Sequence, residues 1–178
     1  MIDRRVSDNS RLEVRSAAEG DLEEVAEMVQ AFVQGHPTER HPRAPSSMKE
    51  AFFGAHPVAH LVVATSRGRI VGMAQWTRIY DMFWGSFGAD VNWLYVRPDA
   101  RGLGIPAAII AEICRHVRLG GGELIRGNAQ EGSNAALHER VARGWPSAEG
   151  YLSPESFQLF ADLAGLPLRE IAKRLPRT

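Results

Sequence analysis

This sequence lacks a set of cysteines, a net charge and any long apolar run. Its one cysteine, Cys114, excludes an internal disulfide framework. Lys plus Arg and Asp plus Glu number 21 each, so no global field attracts nucleic acid or an anionic membrane, and any anion site has to be local. No run approaches the roughly 18 apolar residues of a membrane span, and the first ten residues hold no apolar signal-peptide core. We therefore expect a cytoplasmic protein without nucleic-acid or membrane partners.

Common motifs for zinc and for nucleotides are missing as well. The six histidines show neither an HExxH pattern nor a Cys-His spacing, so we expect no metal site. No Gly-Lys-Ser/Thr is present, which argues against a triphosphate-binding P-loop. The segment "GLGIPA" lacks the third glycine that a dinucleotide fingerprint needs. Three well-known classes of site are thereby disfavoured.

The hydrophobic pattern alternates between strands and helices along a chain long enough for one core. Strands are predicted in RLEVRSA, AHLVVAT, RIVGMAQWTRIY, ADVNWLYV and GELIRGNA. Helices are predicted from a capping box of Asp21 and Glu24, after the loop 36–47 in SMKEAFFGA, around 109–117, in SNAALHERVA and in SPESFQLFADLAG. We expect a single α/β domain over residues 11–164, with a mixed, mostly antiparallel central sheet flanked by helices.

The last segment, residues 165–178, is predicted to be a short amphipathic helical extension. Leu168, Ile171, Ala172 and Leu175 have helical spacing between two prolines. A helix of this length is not stable alone in water. It therefore docks either on its own domain or on a second subunit, which leaves a homodimer open.

The stretch "WLYVRPDARGLGIPAAIIAEI" carries the clearest functional signal. It passes from a strand directly into a helix, and such a corner presents backbone N–H groups together with the positive end of the helix dipole. Gly102 and Gly104 allow unusual backbone angles and a close ligand, and Arg101 adds a fixed positive charge. The corner is either a pyrophosphate cradle or a loop whose glycines only turn the chain.

The same stretch resembles the acyl-CoA binding motif of the GNAT superfamily of N-acetyltransferases. Arg101, Gly104 and Pro106 stand at the specified places of the pattern Gln/Arg-x-x-Gly-x-Gly/Ala, and "LYVRPDARG" is similar to its lead-in. Downstream, "NAALHERVARGW" resembles a further conserved region, with one extra residue before the glycine. Pro106 departs from the pattern, because proline has no N–H to offer a phosphate.

The resemblance implies acetyl-CoA as cofactor and direct attack of an acceptor amine on the thioester in a ternary complex, without a metal. The residues it assigns to the cofactor are Leu94, Tyr95 and Val96 through their main chain, the loop and helix start Arg101, Gly102, Leu103, Gly104, Ile105, Pro106 and Ala107, and Asn134. A second interpretation is a catalytically weak acyl-CoA-binding regulatory module that has kept the cradle and lost the catalytic groups.

Two residues are candidates for catalysis. His138 takes the place of the tyrosine that the family uses as acid for the departing thiolate, and the alternative is a polar surface residue. Asp90 is the candidate base, because strict alternation would place it on the same strand face as Asn92 and Leu94; the alternative is a solvated aspartate. A further hypothesis is an acceptor pocket lined by aromatic side chains, drawn from Trp76, Tyr80, Phe83, Trp84, Phe87 and Trp93.

Overall fold

The computed structural model describes residues 12–34, 45–127, 152 and 154–175. Its strands are β1 (Leu12–Ser16), β2 (His60–Ser66), β3 (Arg69–Asp81), β4 (Ser86–Val96) and β5 (Leu124–Gly127). Its helices are α1 (Leu22–Gln34), α2 (Pro45–Phe53), α3 (Ile105–Leu119), α4 (Pro154–Leu163) and α5 (Leu168–Arg174). The strands form one sheet in the order β1-β2-β3-β4-β5, antiparallel throughout except for the parallel pair β4 and β5. The expected mixed, mostly antiparallel sheet flanked by helices is confirmed.

The sheet has an apolar layer on each face. On one face α3, α4 and α5 enclose the larger cluster, which includes Ile109, Phe157 and Phe160. On the other face α1 covers a smaller cluster that includes Met28 and Met73. Each helix thus buries one apolar face against a strand layer, as its periodicity predicts.

The C-terminal segment docks on its own domain. Leu168 and Ile171 of α5 are buried in the same apolar cluster as the residues of α3, so these two side chains pack against the protein's own core. Cys114 is fully buried on α3, and burial raises the pKa of its thiol, so it packs as a small apolar side chain. In the described part of the chain, none of the helices combines the length and apolar character needed to cross a membrane.

The start of α1 differs from the prediction. Asp21 ends a short 3₁₀ turn before α1, and its carboxylate accepts hydrogen bonds from Ala18 N at 2.7 Å and from the Arg15 guanidinium at 2.7 and 3.0 Å. Glu24 does not turn back to cap the helix but reaches across to Ile70. The predicted capping box is therefore wrong, because both carboxylates find partners on neighbouring strands or turns.

Two other boundaries shift by a few residues. α2 begins at Pro45 rather than after Ser47, since a proline suits the first position of a helix. β4 begins at Ser86, so Phe87 belongs to the strand and residues 82–85 alone turn the β3–β4 hairpin. The hairpin is therefore longer than the sequence pattern indicates.

Candidate functional site

The corner between β4 and α3 has the backbone of an anion site. After β4, a 3₁₀ turn over Pro98–Ala100 leads to Gly102 and Gly104, whose φ angles are 78° and 79°. These angles lie in the left-handed region, where only glycine is comfortable. A Cβ added at either glycine would meet no atom within 4 Å, so the space above both is open. The loop is held in this shape by its glycines and leaves room for a ligand against its backbone.

Several backbone N–H groups of this corner make no hydrogen bond within the described part of the chain. The first helical bond of α3 runs from Ala108 N to Gly104 O at 3.2 Å. Within the described residues, the N–H groups of Gly104, Ile105 and Ala107 have no acceptor. Pro106 is the second residue of α3 and has no backbone N–H. The first-turn N–H groups of a helix have no carbonyl partner within the helix, so the proline breaks no helical hydrogen bond. The corner keeps N–H groups on both sides of Pro106.

Arg101 is tied to the end of β4. Its side chain is exposed, and its Nε donates a hydrogen bond to Val96 O at 3.2 Å. This bond fixes the loop against the end of the strand. It also occupies the Val96 carbonyl, which belongs to the Leu94–Val96 segment predicted to pair with the cofactor. The sequence predicts a charge for Arg101 and misses this structural contact.

β4 also offers a free backbone edge beside the corner. β5 pairs only with Gly88–Val91, so in the described structure Asn92–Val96 have no strand partner on that side. An unpaired strand edge presents N–H and C=O groups that an extended ligand can pair with. The edge and the helix start are continuous, because they are joined only by the loop 97–104.

A bulge interrupts β4 at Asn92. Gln75 pairs with Trp93 and Trp76 pairs with Val91, which leaves Asn92 as the extra residue. Val91 therefore lies on the same face as Leu94, toward α3, whereas Trp93 lies toward α1. The expectation that Asp90 shares a face with Leu94 is wrong, because the bulge shifts the alternation by one residue.

Asp90 is held by a partner on β5. Its carboxylate accepts a hydrogen bond from Arg126 Nη2 at 2.7 Å, and its side chain is about one-fifth exposed. The other catalytic candidate, His138, and the predicted cofactor residue Asn134 lie outside the described residues. Among the described residues, no three His, Cys, Asp or Glu side chains come together as a metal site.

The aromatic side chains do not form a single pocket. Trp76 is buried toward α3, and the two aromatic pairs Tyr80–Phe87 and Phe83–Trp84 lie exposed at the end of the β3–β4 hairpin. Trp93 lies on the opposite face of the sheet, where Phe32 of α1 packs edge-on against it at 5.0 Å and against Tyr95 at 5.6 Å. Trp76 and Phe87 border one hollow beside α3, Tyr80, Phe83 and Trp84 lie at the hairpin, and Trp93 lies on the other face of the sheet. The six predicted residues thus do not line one acceptor pocket.

A cluster of Glu24, Ile70 and Arg97, which the sequence does not reveal, fixes the start of the loop. Glu24 Oε1 accepts hydrogen bonds from Ile70 N at 3.0 Å and from Arg97 Nη2 at 3.2 Å, while Arg97 Nε donates to Ile70 O at 2.8 Å. Arg97 is the residue between β4 and the 3₁₀ turn. These contacts join α1, β3 and the start of the loop, and they span too much sequence for any local pattern to indicate them.

Solved structures with the same fold include several acetyltransferases. A transcriptional regulator from Bacillus halodurans C-125 is 25% identical, with a TM-score of 0.62 over 78% of this chain and 95% of that one. The ribosomal-protein-alanine N-acetyltransferase from Brucella melitensis biovar Abortus 2308 is 18% identical, with a TM-score of 0.62 over 74% and 90% of the two chains. An aminoglycoside acetyltransferase from an uncultured soil metagenomic sample, in complex with sisomicin, is 17% identical, with a TM-score of 0.62 over 78% and 90%.

Comparison with curated protein sequences gives no match. The model of the acetyltransferase (GNAT) family matches residues 24–141, which contain the β4–α3 corner, its open glycines and its free N–H groups. The match spans more than half of the 178 residues and begins at Glu24, whose carboxylate braces the loop. The chain therefore belongs to the acetyltransferase (GNAT) family.

Proposed function

We propose that the protein transfers an acetyl group from acetyl-CoA to a primary amine of a small molecule or a protein, by direct attack in a ternary complex. The observation that carries the proposal is the β4–α3 corner, where outward N–H groups and two open glycines meet a free strand edge. Family membership supports acetyl transfer in general. The nature of the acceptor and the catalytic groups belong to the proposal.

The residues present fit the phosphates and the pantetheine arm of acetyl-CoA. The N–H groups of Gly104, Ile105 and Ala107, at the positive end of α3, would hold pyrophosphate oxygens. The unpaired edge of Asn92–Val96 would pair with the amides of the extended arm, and Asn134 is a further cofactor residue. When bound, acetyl-CoA supplies an acyl group already activated as a thioester.

The main contribution of the protein is alignment of the two substrates. A loop fixed by its glycines and braced by the Glu24–Arg97 pair costs little reorganisation when a ligand binds. Backbone N–H groups near the bulge at Asn92 can stabilise charge that develops on the carbonyl oxygen. Alignment and polarisation of this kind need no covalent intermediate on the enzyme.

We assign the acceptor side to the face of the sheet that α1 covers. Phe32, Trp93 and Tyr95 form an aromatic cluster there, directly after the bulge. Aromatic ring faces attract an ammonium group by about 0.5–2 kcal/mol, depending on solvent exposure. Asp90 would take a proton from the amine, and His138 would give one to the thiolate. Only the role of His138 comes from the family resemblance, and Asp90 is the nearest carboxylate on the strand that leads into the corner.

The test is thiol release from acetyl-CoA by the purified protein across a panel of amines, which includes a polyamine, an aminoglycoside and a peptide N-terminus. The proposal expects release that depends on at least one of these amines. A protein that binds CoA tightly and never turns over with any amine would instead be an acyl-CoA-binding regulatory module. Sedimentation of the same sample reports whether the active species is a homodimer.

A further inference from the structure

A second concave site lies at the opposite end of α3 from the cofactor corner. It is a cavity of about 180 Å³ between β3, the start of β4 and the last turn of α3. Its walls include His60, Trp76, Arg78, Phe87 and His116. The 15 residues of α3 separate it from Gly104 by roughly 20 Å at 1.5 Å per residue. The cavity is therefore distinct from the site that the family resemblance implies.

Three of the residues that line the cavity are glycines. Gly88, Gly120 and Gly122 line it together with the larger side chains. A Cβ at Gly88 or Gly122 would clash with the backbone of Leu124 or Phe87, so these two positions are closed to other residues by close packing of β4 and β5. A Cβ at Gly120 would lie 3.9 Å from Arg78 Nη2, which places the guanidinium over the end of α3.

Two side chains of this cavity, Arg78 and Trp76, carry N–H donors that have no acceptor in the described part of the chain. Arg78 is exposed and, within the described residues, has no carboxylate partner. The buried Trp76 Nε1 has no hydrogen-bond partner among the described residues either. Among the residues that the structure describes, no Asp or Glu lines the cavity. Glu112, the buried carboxylate of the described residues, is already engaged by Arg115 at 2.6 and 2.9 Å and by His116 at 3.1 Å.

The remaining walls are aromatic and flat. The His60 ring stacks on Trp76 with centroids 4.1 Å apart and an interplanar angle of 21°, and Phe87 stands on the β4 side. Burial, followed by the charges of Arg78 and His116, lowers the pKa of His60, so its ring is neutral at pH 7 and adds apolar surface. The volume is comparable to the roughly 150 Å³ cavity that holds one benzene ring in another protein.

We propose that this cavity binds a small aromatic carboxylate with one ring, its ring against Trp76 and Phe87 and its carboxylate on the Arg78 guanidinium. A guanidinium fork matches the two oxygens of a carboxylate. The carboxylate supplies an acceptor to Arg78, which has no carboxylate partner in the described part of the chain, and the ring fills the space beside Trp76 and Phe87. This ligand is separate from the cofactor and from the amine acceptor.

Benzoate is the probe, and calorimetry with the full chain is the measurement. We expect saturable binding at millimolar concentration, and loss of the Arg78 charge in R78Q should raise the Kd at least tenfold. R169Q is the matched control, since Arg169 is an exposed arginine on α5 away from the cavity. It should bind benzoate as the parent protein does.

Two further measurements on the unmodified protein do not depend on the folding of R78Q. Benzamide, which has the same shape and no charge, should bind at least tenfold more weakly than benzoate. Saturating CoA should leave the benzoate Kd unchanged, because the two sites lie at opposite ends of α3. Equal affinity for benzamide, equal binding by R78Q, competition with CoA or no saturable binding would each overturn the proposal.

Discussion

Glu24 on α1 and Arg97 at the end of β4 form an ion pair of 3.2 Å, although 73 residues separate them in the chain. The same carboxylate oxygen accepts a hydrogen bond from Ile70 N, and Arg97 closes the cluster through Ile70 O. Both side chains are largely buried, with 31% and 17% exposed. The pair fixes the point at which the loop 97–104 leaves the sheet.

Removal of the Glu24 carboxylate is expected to destabilise the fold. E24A leaves the Arg97 guanidinium and Ile70 N without their acceptor, and hydrogen bonds of charged groups contribute about 1.5–3 kcal/mol each. The two bonds together amount to about 3–6 kcal/mol, which for a domain of this size corresponds to a fall in Tm of roughly 6–24 °C. E23A is the control, because Glu23 is its exposed neighbour on α1. Equal Tm values for the two variants would contradict this assignment.

Substitutions of Gly104 and Gly68 separate the effect of backbone strain on stability from the effect of a side chain on ligand binding. Their φ angles are 79° and 77°, and a Cβ at either would meet nothing within 4 Å, yet Gly68 lies in the β2–β3 turn. Valine at either position should cost about 1–2 kcal/mol of stability. Only G104V should lose CoA binding, measured by calorimetry, since its side chain occupies the space above the cradle. If G104V binds CoA as G68V does, the cradle is misplaced.

Features that depend on neighbouring residues can be predicted from the sequence, whereas features that depend on contacts between distant segments cannot. The backbone of the β4–α3 corner is predicted correctly, because glycines, a helix start and an arginine within seven residues suffice to describe it. The bulge at Asn92 depends on the register between β3 and β4, so strict alternation misplaces Asp90. The partners of Glu24 lie 46 and 73 residues away, and no local pattern reports such contacts. Tertiary pairing decides these features.

The role of Asp90 can be separated from that of its ion pair. D90N removes a proton acceptor, whereas R126Q breaks the same 2.7 Å contact and keeps the carboxylate. If Asp90 is the base, kcat/KM for the amine should fall by about 100- to 10,000-fold in D90N, with CoA affinity unchanged. R126Q should retain most activity. An equal fall in both variants would make the pair structural.

His138 is tested by a phenylalanine. H138F removes the proposed acid for the thiolate and should slow turnover by as much as about 100- to 10,000-fold without weakening CoA binding. H56F, at an exposed histidine between α2 and β2, is the control and should turn over like the parent protein. Steady-state kinetics together with CoA titration separate the two parameters. Unchanged turnover in H138F would remove this residue from catalysis.

Glu112 on α3 makes the stability of the fold depend on pH in the acid range. Burial acts to raise the pKa of its carboxyl, but the hydrogen bonds from Arg115 and His116, with their charges, outweigh burial and lower the pKa from 4.5 to about 2. A lowered pKa in the folded state stabilises the protein above the ordinary value, and this contribution is lost as the pH falls from 4.5 toward 2. It amounts to at most about 3 kcal/mol, since one pKa unit corresponds to about 1.4 kcal/mol.

The amide of E112Q cannot titrate, so its loss of stability between these two pH values should be smaller than that of the parent protein. Urea unfolding across the acid range measures this as a flatter curve of free energy against pH, with lower stability at pH 7 and convergence with the parent curve near the acid end. E27Q is the control, because Glu27 is exposed on α1 and its curve should follow that of the parent. Parallel curves for E112Q and the parent protein would show that the Glu112 carboxylate is no more stabilised in the folded protein than in the unfolded chain.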